Sequence, residues 1–93
     1  MFSLPSTLTQ VQAQACLQQL QADMAQLPAG APAQIDASAL VVFDSSALAV
    51  LLGGRRAALA AGRPLQLSGM SAPLLSLARL YGVDGLLQPP AAH

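Results

Sequence analysis

The chain has 93 residues and a formal net charge of zero, with only 9% of its residues charged. That length fits one domain, and a neutral chain without a clustered basic patch argues against nucleic-acid binding and against polybasic attachment to a membrane. The acids are Asp23, Asp36, Asp44 and Asp84 and the bases Arg55, Arg56, Arg63 and Arg79. So few charges leave apolar surface uncovered, and an exposed apolar patch of the kind that marks partner sites is expected.

Phe2–Ser6 alternates apolar and polar residues and predicts a short extended segment, confined to an edge or strand end by Pro5. Thr9 is placed to cap a helix over about 10–27, where Ala13, Cys16, Leu17, Leu20, Met24 and Leu27 recur at helical spacing against a glutamine face. Pro28 and Gly30 end it. Gln34–Ala37 predicts a strand. The apolar run Leu40-Val41-Val42-Phe43 follows too closely to belong to the same strand and is expected as a tightly buried connection.

Asp44-Ser45-Ser46 supplies three N-cap residues in a row. The helix behind them carries Leu48, Leu51, Leu52, Ala58 and Leu59 on one face, and Gly62 suits its C′ position. Gly53-Gly54 in its interior costs about 1 kcal/mol per glycine relative to alanine. Arg55 falls where the apolar stripe would continue, so its stem is expected to pack while its head reaches water. Leu65–Ser68 is a short alternating strand. Ser71 caps a third helix that tolerates Pro73 in its first turn and carries Leu74, Leu77, Ala78 and Tyr81 as its stripe, with Gly82 at its end. Leu86-Leu87 adds a last apolar contact. Strands alternating with helices predict an α/β domain with a largely parallel sheet, spanning 1–88 and followed by a flexible tail, 89–93. No run of about 18 apolar residues suggests a membrane span, so a cytoplasmic location is the expectation.

The residue inventory leaves little room for catalysis. The one histidine, His93, is the last residue, so a serine nucleophile has no base, and one cysteine, one histidine and scattered aspartates do not form a metal cluster. No catalytic residue, metal or cofactor is therefore expected. Asp36 and Asp44 are the only acids able to share a site. A carboxylate pair can hydrolyse glycosides, but one ends a strand and the other precedes a helix, where a negative charge is favoured by the dipole. Cys16, on the apolar stripe, reads as a small core residue.

The remaining concentrated signal is Phe43-Asp44-Ser45-Ser46-Ala47-Leu48. A helix cap needs one side chain and this turn has three, so it also suits a binding or modification turn. Ile35-Asp36-Ala37-Ser38 followed by Asp44-Ser45-Ser46-Ala47-Leu48 resembles the central signature of STAS domains, a family that includes anti-sigma-factor antagonists and MlaB-like subunits of phospholipid-transporting ABC complexes. Leu67-Ser68-Gly69 and Leu77-Ala78-Arg79-Leu80-Tyr81-Gly82-Val83 resemble the MlaB-like branch, and the similarity covers about residues 34–87. Ala47 stands where the family pattern has glycine, which stiffens the turn.

The resemblance implies a STAS-like sheet of about four strands, parallel or mixed, packed with three or four helices. It implies a non-enzymatic subunit that docks on the ATPase (MlaF-like) of an ABC phospholipid transporter maintaining lipid asymmetry, peripheral to the inner membrane through that partner. Asp44, Ser45, Ser46, Ala47, Leu48 and Arg55 would form the partner surface, with Ser45 at the family's phosphorylatable position. An anti-sigma-factor antagonist switched at Ser45 is the nearest alternative. A hydrolase using the two aspartates and a homodimer are the others.

Overall fold

The computed structural model describes residues 2–87. Gln88 and the expected tail with His93 lie outside them. Strands β1 (Phe2–Ser3) and β2 (Thr7–Leu8) lead into α1 (Gln10–Ala25), and β3 (Ala33–Asp36) and β4 (Val42–Phe43) into α2 (Ser45–Ala60). Strand β5 (Leu65–Ser68) leads into α3 (Ala72–Leu80), and a short helix, α4 (Asp84–Leu87), follows. All strand pairs are parallel, β1-β3-β5 in one sheet and β2-β4 in the other. The α/β architecture expected from the strand–helix alternation is the one observed.

The two sheets arise from one interrupted pairing. Ser3 pairs with Asp36 and Thr7 with Val42, so residues 37–41 stand opposite residues 4–6. Pro5 has no N–H to donate at this point. The longer side bulges outward, and the Ser6 carbonyl accepts from both Val41 and Val42 N–H at 2.8 and 2.9 Å. The Leu40–Phe43 run is therefore not the buried connection its composition suggested. Leu40 is buried, but Val41 and Val42 are 73% and 54% exposed, and Val42-Phe43 is a strand in its own right.

Each long helix has the cap its sequence promised. Thr9 and Gln12 form a reciprocal capping box at α1, Asp44 caps α2 and Ser71 caps α3. At the other end of α2, Gly62 at positive φ lets Arg63 N–H reach the Ala58 carbonyl and Gly62 N–H the Leu59 carbonyl, which satisfies the last-turn acceptors.

The core lies between the inner sheet face and the helices. Ile35 and Leu67 point inward from the strands, and Cys16, Leu20 and Met24 from α1. Gln34 and Gln66, one residue out of phase, face out and bond to each other at 2.9 Å. Helix α2 is buried over a broad face of Ala47, Leu48, Val50, Leu51, Gly53, Gly54 and Ala58. Two stripe positions differ from expectation. Leu59 and Tyr81 are exposed: Leu59 lies seven residues after Leu52 on the outward face of α2, opposite the buried Leu51, Gly54 and Ala58, and Tyr81 is the C-cap of α3.

Candidate partner-docking site

With all strands running one way, β2, β4 and β5 deliver the N-termini of α1, α2 and α3 to the same edge, the one where ligands of open parallel sheets gather. Asp44 stands in the middle of that edge. Its Oδ1 accepts from Ser46 N–H at 2.8 Å. That backbone hydrogen bond, with a smaller contribution from the backbone of Gln10 on α1, holds the carboxyl below the usual carboxylate range. Asp44 is therefore ionised at neutral pH and marks where two helix starts meet.

The Asp-x-Ser element upstream builds the neighbouring corner. Asp36 Oδ1 accepts from Ser38 N–H at 2.9 Å, closing the turn that starts the bulge. Hydrogen bonding by Ser38, side chain first and backbone second, lowers the Asp36 carboxyl as well. Gly69 packs directly on this turn: a Cβ there would lie 2.7 Å from Ser38 N and 2.9 Å from Asp36 Oδ1. Each aspartate thus closes its own local turn.

Asp44 alone meets the capping need of α2, which leaves the exposed Ser45 outside the cap. Ser46 is half-buried. Ala47 and Leu48, expected in the partner surface, are 0% and 3% exposed. Their side chains are part of the buried core because they occupy the inward side of the first turn, beneath the corner. Arg55 is half-buried, as its place on the stripe implied. The outward line from Ser45 runs instead through Ala49, Leu52 and Arg56, at offsets of 4, 7 and 11 residues that keep one helical face. Arg56 is exposed on this line and was not singled out in the sequence. The signal was present in its offset from Ser45.

An open groove of about 550 Å³ is lined by Leu40, Val41, Val42, Phe43, Ser71 and Pro73. Neither aspartate lines it. Its apolar walls come from the bulge before Asp44 and from the first turn of α3. Among the described residues no three His, Cys, Asp or Glu side chains cluster as a metal site would require, and no helix is long and apolar enough to cross a membrane. Cys16 is buried in the core, where burial pushes its thiol up.

Residues 3–88 match the profile of a family described as Mlab, STAS domain. No curated protein and no solved structure matches the chain.

Proposed function

Because the chain belongs to the Mlab STAS domain family, we propose that it is a non-enzymatic docking subunit of an ABC transporter that moves phospholipid. Its contact surface is the corner at Asp44 and Ser45 with the outer line of α2. The observation that carries this reading is the geometry of Ser45, an exposed hydroxyl at the head of a buried, well-capped helix and unneeded for capping. Rigid support from Ala47 and Leu48 holds that hydroxyl in place, and a preorganised contact loses little freedom on binding. Ser45, Ala49, Leu52 and Arg56 then offer a shallow face of small, apolar and cationic groups to the ATPase. Docking there favours whichever ATPase conformation fits it better, and shifts that equilibrium by the difference in affinity.

The test is binding of the purified ATPase subunit by Ser45→Glu and Ser45→Arg, with circular dichroism to verify folding. Both variants are expected to fold and to lose affinity. Wild-type affinity in both would remove Ser45 from the interface. A second reading, an anti-sigma-factor antagonist, is favoured by the same exposed hydroxyl: phosphate at Ser45 would meet the positive end of α2. An anti-sigma kinase that phosphorylates the wild type and leaves Ser45→Ala untouched would select it.

A further inference from the structure

Of the four aspartates, Asp23 is in the last turn of α1 and Asp84 follows α3, which leaves two for the opposite end of the fold. Asp36 and Asp44 lie at the edge where the strands end and the helices begin. None of the four arginines is there. Arg55 and Arg56 are about 15 Å or more down α2 from Ser45, at 1.5 Å per residue. Arg63 follows α2 and is tied to the loop after α1, and Arg79 is in the last turn of α3. Among the described residues, the strand-end edge therefore carries two carboxylates, both kept ionised by hydrogen bonds, and no cation.

The same edge exposes apolar surface. Val41 stands out on the bulge and Val42 on β4, Val11 is 85% exposed in the first turn of α1, and a groove is lined by Val42, Phe43 and Pro73. An apolar groove whose lining residue Phe43 is followed directly by the exposed carboxylate of Asp44 is complementary to an apolar side chain that has a base beside it. We infer that the groove receives a segment of the ATPase partner in which an apolar side chain sits against Val41, Val42 and Pro73 while an adjacent Lys or Arg pairs with Asp44. This rests on the docking role proposed above and specifies the chemistry of the surface that meets it.

The charge sign makes the inference testable at one position. The ATPase subunit of the transporter from the same organism is titrated against the wild type and against Val41→Lys, Val41→Asp, Asp44→Asn and Leu80→Asp, at low and high salt. Asn caps helices as well as Asp does, so Asp44→Asn keeps its fold. Val41→Lys is expected to weaken binding about tenfold or more, the factor that 1.4 kcal/mol represents. Val41→Asp should weaken it less, because its charge has the favourable sign. Asp44→Asn should flatten the salt dependence, and Leu80→Asp, at an exposed site on α3, should bind as the wild type does. Equal losses for Lys and Asp at position 41, or an unchanged salt dependence for Asp44→Asn, would overturn the inference while leaving the docking role standing. So would a homodimer broken by Val41→Lys with ATPase affinity intact. A wild-type chain that does not bind the ATPase removes the docking role, and this inference with it.

Discussion

Gly54 of α2 faces Leu20 of α1 so closely that a Cβ on the glycine would stand 2.7 Å from Leu20 Cδ2. A Cβ on Gly53 would stand 3.0 Å from Leu17 Cδ1 in the same seam. The two glycines let the helices behind the docking corner approach until the leucines of α1 fill the space that side chains of α2 would occupy. Their cost in helix propensity is offset by this packing.

The seam makes opposite predictions for two adjacent substitutions. Gly53→Ala pushes on Leu17, which is half-buried and able to yield, so the propensity gain of about 1 kcal/mol is expected to leave stability near or above wild type. Gly54→Ala pushes on Leu20, 1% exposed and held on all sides. Overpacking of about 1–3 kcal/mol should exceed the gain and destabilise the domain. Urea denaturation of the two variants measures the difference.

Arg63 fastens the far end of the molecule. Its Nη1 donates to the carbonyls of Pro28 and Ala31 at 2.6 and 2.9 Å, and its Nη2 to that of Leu27 at 3.0 Å. A fork of this geometry beside the C-terminus of α1 is favoured by both hydrogen bonding and the helix dipole. Arg63→Ala is expected to cost about 1–3 kcal/mol. Arg63→Lys should recover only part of it, because an ammonium lacks the planar fork. Thermal unfolding orders the three proteins.

Gly62 and Gly69 both have positive φ, at 70° and 74°, but their surroundings differ. Nothing lies within 4 Å of a Cβ built on Gly62, whereas one on Gly69 meets the backbone of Ser38. Gly62→Ala should cost only the left-handed penalty, about 1–2 kcal/mol. Gly69→Ala adds a clash that only backbone movement relieves, and should lower the unfolding midpoint distinctly more. Amide exchange at Ser38 would rise in that variant and stay unchanged in Gly62→Ala.

Asp36 and Asp44 set an acid limit. Both carboxyls are lowered in the folded state. Their contribution is therefore fully present above the unfolded carboxyl value of about 3.9 and is lost as pH falls through the folded values. The urea midpoint should be flat from neutral pH to about 5 and drop below about 4. In the double variant Asp36→Asn, Asp44→Asn the drop should be shallower. An acid limb as steep as that of the wild type would show that other groups control it.

Local chemistry made much of this protein legible in its sequence. Caps at Thr9, Asp44 and Ser71, the stop at Gly62 and the inward residues of α1 each depend on neighbours within about one helical turn, and such short-range preferences are written in residue type. The Asp44-Ser45-Ser46 corner was visible for the same reason. What residue type does not encode is which side of a short apolar run meets the rest of the chain. Leu40–Phe43 was expected to be buried, but its pairing with residues 6–8 turned Val41 and Val42 outward, a decision made by a segment more than thirty residues away. The broad burial of α2 likewise placed Ala47 and Leu48 beneath the corner and left the face shared by Ser45 and Arg56 turned outward. The sequence by itself determined where helices begin and end and which turn presents a hydroxyl. Only the tertiary structure decided which face of each element is left for a partner, because exposure is what remains after every other element has packed.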